Sequence, residues 1–131
     1  FSAAYATSIT YKSIVVAPSN TSGWYLPSVG QWYDILVNLG KMSATGYTGS
    51  YYLSWSSGAS TCANNVNAYL TPLTSGTYDT FLWTSSTSYG YWSSSEYSSY
   101  VSTLMSLLNG SVSLNGGSKT YTGRTRSVIA F

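Results

Sequence analysis

Histidine is absent from this chain, cysteine occurs once, and charged residues make up only 6% of it. Without histidine, the most common general base of enzymes and the Ser-His pair of the hydrolases are both missing. The chain has only 3 acidic residues, Asp34, Asp79 and Glu96, and they lie far apart in the sequence with no paired-acid motif. We therefore expect that the protein is not an enzyme.

The single cysteine, Cys62, excludes an internal disulfide and a metal site built from cysteines. We expect Cys62 to act as a small, buried apolar residue. Formylglycine-generating enzymes, which rely on a pair of cysteines, are also excluded. Calcium prefers clustered oxygen ligands, and the Glu-Pro-Asn and Trp-Asn-Asp motifs of calcium-dependent lectins are absent. We expect no cofactor and no metal.

Charge and hydrophobicity exclude two further partners. The 5 cationic residues are spread along the chain and form no basic stripe, so we expect no nucleic-acid binding. No stretch approaches the roughly 18 apolar residues of a membrane helix, so we expect no membrane insertion by this domain. No signal peptide is recognisable, and we interpret the chain as a mature or excised domain whose targeting elements lie elsewhere.

Aromatic and hydroxyl-bearing residues take the place of charge. The chain contains 14 Tyr and 5 Trp residues together with abundant Ser, and its 131 residues suffice for one domain with a core, residues 1–131. Tyrosine offers a rigid amphipathic surface, while Ser, Gly and Asn provide adaptable hydrogen bonding. These residues dominate the last third of the chain, from Tyr91 onward, and indicate a binding surface.

Two helices are predicted in the first half. Ser28 and Gln31 fit a capping box, and an apolar stripe at helical spacing follows it, which predicts a helix over residues 28–39 with Gly40 as its C-terminal glycine. A shorter helix is predicted over residues 62–70. We expect Ser60 or Thr61 to cap it and Pro72 to stop it.

The remaining patterns predict strands. Asn109-Gly110 is a strong two-residue hairpin signal, and the glycines of residues 115–117 predict a second turn. We expect the last strand to be central in the sheet. The fold class is therefore α+β. Strands are predicted over residues 8–16, 50–55, 81–84, 101–108, 111–114 and 126–131.

Three motifs carry a resemblance to a known family. Residues 22–36, Ser-Gly-Trp-Tyr-Leu-Pro-Ser-Val-Gly-Gln-Trp-Tyr-Asp-Ile-Leu, resemble the helix start of bacterial C-type-lectin-fold domains, Gly-Trp-x-Leu-Pro-(Ser/Thr)-x-x-(Glu/Gln)-Trp. Residues 91–96, Tyr-Trp-Ser-Ser-Ser-Glu, are similar to their Trp-Ser-Ser-(Ser/Thr)-Glu strand. Residues 124–131, Arg-Thr-Arg-Ser-Val-Ile-Ala-Phe, resemble their Arg-Val-Arg-Pro-Val-x-Ala-Phe ending, with Thr125 and Ser127 replacing Val and Pro.

The chain is most similar to the variable proteins of diversity-generating retroelements, particularly those of gut Bacteroidales. The resemblance implies a C-type-lectin-like fold in which two helices pack on a mainly antiparallel sheet. It also implies a cassette at about residues 97–123, with Glu96 as the last fixed position, in which adenine-directed mutagenesis of a template rich in Asn codons diversifies the ligand-binding side chains.

Alternation along residues 100–108 divides the cassette between two faces. Methionine cannot arise by mutating the adenines of an Asn codon, so Met105 marks the scaffold face and Leu104 lies on the variable, exposed face. The plainer alternative is a Ser/Thr-rich meander with turn glycines. The predicted ligand-binding residues are Tyr97, Ser99, Tyr100, Ser102, Leu104, Ser106, Leu108, Ser111, Ser113, Gly116, Gly117, Ser118, Thr120, Thr122 and Gly123.

Other residues are assigned to the scaffold. Trp55 is equally compatible with the core and with a loop edge near the binding face. We expect Glu96 to be a capping or buried carboxylate, paired with Arg124 or Arg126, which could instead pair with Asp34. The predicted template-fixed residues are Asn109, Gly110, Val112, Leu114 and Lys119, and the predicted core comprises Trp24, Trp32, Trp83, Trp92, Met105, Leu107, Val112, Leu114, Val128 and Ile129.

Two function classes follow. The first is a secreted, cell-surface or virion-displayed adhesin or receptor domain that binds a protein or glycan on another cell or surface without calcium. The second is a structural pilin-like or surface-layer subunit whose meander packs against its neighbours. A reverse transcriptase gene and a template repeat near the coding sequence would favour the first class.

Overall fold

The computed structural model describes residues 2–49, 52–72, 80–82 and 90–129 of the chain. Within these residues the fold is α+β, as predicted, with an antiparallel sheet in the order β1-β4-β3-β2. The helices are α1 (Ser2–Ile14), α2 (Val29–Asp34), which a π-helical segment (Ile35–Leu39) continues, and α3 (Ala59–Ala68). The strands are β1 (Leu53–Trp55), β2 (Gly90–Glu96), β3 (Val101–Leu108) and β4 (Ser111–Ser118).

The hairpin of β3 and β4 confirms the Asn-Gly signal. Asn109 and Gly110 have φ angles of 51° and 79°, the left-handed conformation that a tight hairpin turn needs at both positions. The predicted turn at residues 115–117 is wrong, because these residues lie inside β4 and pair with β3. The glycine at position 117 serves packing instead, since a Cβ there would lie 2.5 Å from Cδ2 of Leu104.

The capping box at the start of α2 is confirmed. The Ser28 hydroxyl accepts a hydrogen bond from the Gln31 amide at 3.2 Å, and Gln31 Oε1 accepts one from the Ser28 amide at 2.9 Å. The Gln31 side chain also donates to the Tyr25 hydroxyl at 2.6 Å. These hydrogen bonds fix the residue at which α2 begins. They therefore also fix the position of Trp32 on the helix, one turn later.

Gly40 ends this helix for a different reason from the one predicted. Its φ of −73° is right-handed, and the left-handed residue is Lys41, with a φ of 60°. A Cβ at Gly40 would collide with the sulfur of Cys62 and would lie 2.6 Å from the carbonyl oxygen of Leu36. Glycine is thus required for the close approach of the helix end to α3. Asn65 of α3 donates to the Gly40 carbonyl at 3.0 Å.

Helix α3 starts earlier than predicted and uses a different cap. Gly58, with a φ of 101°, precedes it, so the expected caps Ser60 and Thr61 lie within the first turn. The Ala59 amide donates to the Gly110 carbonyl at 2.8 Å, which ties the helix start to the β3–β4 hairpin. A hydrogen bond to another element therefore replaces the local side-chain cap that we expected.

The predicted strand over residues 8–16 is wrong, because most of it belongs to α1. The alanines at positions 3, 4 and 6, in the part of α1 that precedes this segment, favour helix, and strand propensity depends on having a sheet to join. Thr10 satisfies its hydroxyl within the helix by donating to the Ala6 carbonyl at 2.9 Å. Tyr11 contacts the rest of the domain edge-to-face at Trp24, with ring centroids 5.1 Å apart.

The C-terminal segment is not the central strand that we predicted. It lies along β2, where Arg124 exchanges backbone hydrogen bonds of 2.8 and 2.9 Å with Gly90 and Trp92, and Val128 forms an isolated bridge with Tyr25. β3 and β4 already have strand neighbours on both sides, so the edge of β2 accepts this segment. Residues 130–131, 50–51 and 83–84 of the predicted strands lie outside the described residues, and Phe81 is not in a strand.

One face of the sheet packs against α2, the π-helical segment and α3. Met105, Leu107, Val112 and Leu114 are buried there, which confirms them as core residues. Val128 and Ile129, predicted as core, are only half-buried, because their segment lies at the sheet edge. The core consists of Trp32, Leu36, Trp55, Ala59, Cys62, Ala63, Val66, Phe81, Tyr91, Met105, Leu107, Val112 and Leu114.

Removing the Trp32 ring should destabilise the domain strongly. Trp32 is 0% exposed, and its ring lies 5.8 Å from that of Phe81 and 5.9 Å from that of Tyr91, centroid to centroid. We expect Trp32→Ala to lower the free energy of unfolding by about 3–5 kcal/mol in a denaturant titration. Tyr121→Ala, at a 66% exposed side chain, should change it by less than about 0.5 kcal/mol. If the two substitutions lowered the free energy of unfolding equally, Trp32 would not be a core residue.

The Cys62 thiol should be inert in the folded domain. Burial raises the pKa of Cys62 from 9.0 to about 11. At pH 8 the thiolate fraction is therefore about 100-fold lower than in the unfolded chain, and an aromatic disulfide reagent should react at least that much more slowly. A matched control is Thr61→Cys with Cys62→Ala, which places a thiol on an exposed position of the same helix. Native Cys62 reacting as fast as this control would refute its burial.

The raised pKa of Cys62 also makes the stability of the domain depend on pH. The folded thiol keeps its proton between pH 9 and about 11, where the unfolded thiol loses it. The contribution of Cys62 to stability is therefore complete below pH 9 and is lost as the pH rises through about 11.

Candidate functional site

The predicted cassette comprises the β2–β3 turn, strands β3 and β4, and the segment that follows β4. The structure distributes its residues over three places: the end of the sheet at the β2–β3 turn, the middle of the strands, and the opposite end at the Asn109-Gly110 turn. An eight-residue strand spans about 26 Å, so the two ends cannot contribute to one small contact.

Three exposed tyrosines lie at the β2–β3 end of the sheet, and we call them the tyrosine rim. Tyr97 is 58% exposed, Tyr100 80% and Tyr121 66%. The sequence predicted Tyr97 and Tyr100 and missed Tyr121, although this residue lies between Thr120 and Thr122, both of which were predicted. The sequence contained a signal for Tyr121, because tyrosine is common in binding surfaces and this residue lies inside the predicted cassette.

Several polar residues of the cassette accompany the rim. Ser99, Thr120, Thr122 and Gly123 are exposed in the two connections that carry the tyrosines, and Ser118 at the end of β4 is half-buried. Gly116 is exposed on β4, three pairs into the sheet from that end. These residues are placed where they can contact a partner, which agrees with their predicted role without testing it.

The β2–β3 turn has a well-defined backbone. The amides of Tyr97 and Ser98 both donate to the Val101 carbonyl at 3.0 Å. The Ser98 hydroxyl accepts hydrogen bonds from the amides of Tyr100 at 3.2 Å and Val101 at 3.1 Å. The Ser98 hydroxyl therefore stabilises the turn. The tyrosines on either side of Ser98 lie on an ordered loop.

The segment after β4 is held against this turn. The Lys119 amide donates to the Tyr100 carbonyl at 3.0 Å, and the Tyr121 amide donates to the Ser118 carbonyl at 2.9 Å. Lys119 Nζ and Glu96 Oε1 form an ion pair at 2.8 Å. The prediction that Glu96 is a buried carboxylate is therefore wrong, since its side chain is 53% exposed, and the cation that pairs with it here is Lys119, which was not expected.

The arginines have other neighbours. The Arg126 guanidinium lies over the Phe81 ring, 4.4 Å from its centroid, a cation–π contact at the margin of the core. Arg124 is exposed and lies where the C-terminal segment meets β2.

The second face of the sheet is covered, which corrects the prediction that it is exposed. Ser102 is 0% exposed, Ser106 5% and Ser113 9%. Gly117 is also buried, and Leu104 is half-buried. Part of the cover is a second apolar cluster on this face, in which Leu26 and Trp92 pack with Leu104.

Tight packing in this second cluster limits which positions can accept a larger side chain. A Cβ at Gly123 would collide with the Trp92 indole, and one at Gly90 would lie 2.9 Å from Leu104 Cδ1. The hydroxyls of Ser106 and Ser113 bond to each other at 2.7 Å, and Asn115 donates to Ser113 at 3.2 Å. Residues that satisfy each other inside the fold are poorly suited to contact a ligand.

Leu108 and Ser111 lie at the far end of the sheet. Both are half-buried, they flank the Asn109-Gly110 turn, and the Ser111 hydroxyl donates to the Leu108 carbonyl at 2.7 Å. They are therefore separated from the tyrosine rim by the length of β3, and the expectation that Leu108 shares one exposed face with Tyr100 is wrong.

The tryptophans belong mainly to the scaffold. Trp92 is 3% exposed and Trp55 8%, so the possibility that Trp55 marks a loop edge near the binding face is wrong. The Trp55 ring stacks on Tyr33 with centroids 6.2 Å apart. Trp24 is half-buried, and its Nε1 has no hydrogen-bond partner among the residues that the structure describes. Trp83 lies outside these residues.

Comparisons with known proteins do not identify the chain. A scan against protein-family models, a search of curated proteins and a search of solved structures each found no match. In the part of the chain that the structure describes, no helix is long and apolar enough to cross a membrane. Among the same residues, no group of three or more His, Cys, Asp or Glu side chains is placed to hold a metal ion.

The exposed and buried parts of the cassette should differ in their tolerance to substitution. Ser99→Tyr at the rim should change the free energy of unfolding by less than about 0.5 kcal/mol, because Ser99 is exposed. Ser106→Tyr should cost at least about 3 kcal/mol, because a ring must enter a 5% exposed site and a buried hydrogen bond is lost. Denaturant titration of both variants measures the difference. If Ser106→Tyr proves as silent as Ser99→Tyr, the second face is open as the sequence predicted.

Proposed function

We propose that this domain is a ligand-binding module of the adhesin or receptor type that contacts its partner through the tyrosine rim. The observation that carries this proposal is the placement of Tyr97, Tyr100 and Tyr121, each more than half exposed, at one end of the sheet on two hydrogen-bonded connections. Large exposed aromatic side chains on an ordered backbone are the residues that most often dominate the energy of a binding interface.

The chemistry of the rim favours contact by aromatic anchors. Each tyrosine offers an apolar ring and a hydroxyl that can donate and accept, at the cost of ordering only two torsion angles. The neighbouring serines and threonines add hydrogen-bonding groups. Lys119 and Glu96 compensate each other's charge, so the binding should depend on ring burial more than on electrostatic attraction.

We further propose that the scaffold is a C-type-lectin-like domain of a diversity-generating retroelement variable protein. The three sequence motifs support this, and the α+β fold with its capped helix on an antiparallel sheet is compatible with it. On this proposal, free diversification is confined to the rim, since Ser102, Ser106, Ser113 and Gly117 lie within the fold. The partner is a protein or glycan on another cell or surface, and the domain is secreted, surface-displayed or virion-displayed.

The proposal is tested by finding a partner and then removing the rim. The domain is screened against arrays of glycans and of cell-surface proteins, and the strongest hit is titrated against single variants. We expect Tyr97→Ala, Tyr100→Ala and Tyr121→Ala each to weaken binding by about tenfold or more. Tyr69→Ala is the matched control, because this tyrosine is 54% exposed beyond the end of α3, and it should bind as the unchanged domain does.

Salt and calcium distinguish the alternatives. We expect affinity to change by less than about threefold between about 0.05 and 0.5 M salt, and to survive a calcium chelator. Loss of binding in chelator would revive a calcium-dependent lectin. Binding unaffected by all three rim changes would move the site elsewhere. Concentration-dependent self-association without any bound partner would favour the structural-subunit alternative.

A further inference from the structure

Lys119 connects the two halves of the tyrosine rim at two points. Its amide donates to the Tyr100 carbonyl at 3.0 Å, and its Nζ contacts Glu96 Oε1 at 2.8 Å. Glu96 is the last residue of β2 and immediately precedes Tyr97, while Lys119 immediately follows β4 and lies two residues before Tyr121. One side chain therefore bridges the connections that carry all three tyrosines.

The bridge spans a strand. β2 and β4 lie on opposite sides of β3, so their backbones are about 10 Å apart, two strand spacings. Glu96 pairs with Ser102 of β3, and Ser102 pairs with Gly117 of β4. β3 is the strand that separates β2 from β4, so the lysine side chain must span β3, which has Ser102 at the level of Glu96, to reach the carboxylate.

The environment strengthens this ion pair relative to an ordinary surface pair. The Lys119 side chain is only 19% exposed, against 53% for Glu96. An isolated, fully exposed pair contributes little, because solvent screens it and two long side chains must be ordered. Here most of the lysine side chain is withdrawn from solvent, and the backbone hydrogen bond to Tyr100 already fixes the origin of that side chain.

We propose that Lys119 and Glu96 are positioning residues for the binding rim, which they hold in one relative arrangement without touching the partner. This inference rests on the proposed function of the rim. The physical advantage is preorganisation: two connections that are already fixed relative to each other lose less conformational freedom when a partner binds both. Their effect should therefore appear in local order and in the lifetime of the complex more than in global stability.

The first test needs no partner. Hydrogen exchange is measured at the amides of Tyr97, Ser98, Lys119 and Tyr121 in the intact domain, with the Leu107 amide as the core reference. Lys119→Met removes the charge and keeps the stem, and Glu96→Gln removes the other charge. We expect each to speed exchange at the rim amides roughly threefold to tenfold and to leave Leu107 unchanged. The double variant should be no faster than either single variant, because both remove the same contact.

Two controls separate the ion pair from general effects of substitution. Lys119→Arg keeps a cation within reach of Glu96 and should retain slow exchange. Lys41→Met removes a lysine whose Nζ donates to the Asn38 carbonyl at 2.7 Å beyond the end of α2, and it should leave the rim amides unchanged. Unchanged exchange in Lys119→Met, or effects of the two single changes that add in the double variant, would overturn the proposal.

The second test uses the molecule recovered from the array as the probe. Its complex with Lys119→Met should dissociate roughly threefold to tenfold faster than its complex with the unchanged domain, while the melting temperature stays nearly the same. Equal dissociation rates would overturn the positioning role. Failure of the proposed function is recognised separately, as binding by the unchanged domain that does not depend on the rim tyrosines.

Discussion

The burial of Trp32 between helix and sheet is the contact on which the rest of the domain depends. Its indole is 0% exposed, and its Nε1 donates to the Trp92 carbonyl at 3.3 Å, which joins α2 to β2. The Val29 amide adds a second link by donating to the Ser95 hydroxyl at 3.0 Å. Because β2 ends at Glu96 and leads into the rim, a packing contact in the core sets the position of a surface that begins at Tyr97, five residues after Trp92.

The second face of the sheet explains why the rim lies at the end of the strands. Trp92 and Leu104 fill the space that Gly117 and Gly123 leave open, so the middle of the strands has partners on both faces. Most side chains there are fixed by their neighbours, whereas the connections beyond the strand ends face solvent. Substitution without loss of the fold is therefore easiest at those connections, as it is for loops on a rigid scaffold generally.

Local signals predicted local structure well. The Ser28–Gln31 capping box and the Asn109-Gly110 turn were readable from sequence, because each depends on residues near it in the chain. Features that depend on distant residues were not. Whether residues 8–16 become helix or strand depends on access to a sheet, and the exposure of Ser106 depends on what packs over it. Two of the three rim tyrosines were predicted, but their assembly required the fold.

In a binding surface whose residues vary, the residues that stabilise the backbone must be different from those that contact the partner. Ser98 holds the β2–β3 turn with its hydroxyl, whereas the neighbouring Ser99 makes no comparable bond to the part of the chain described. Ser118 has a holding role in the second connection, because its hydroxyl accepts from the Thr120 amide at 3.3 Å. Conserving Ser98, Ser118 and Lys119 while exchanging the exposed residues between them would change the chemistry of the rim and leave its backbone in place. Serine thus has two different uses within a few residues, and composition alone could not distinguish them.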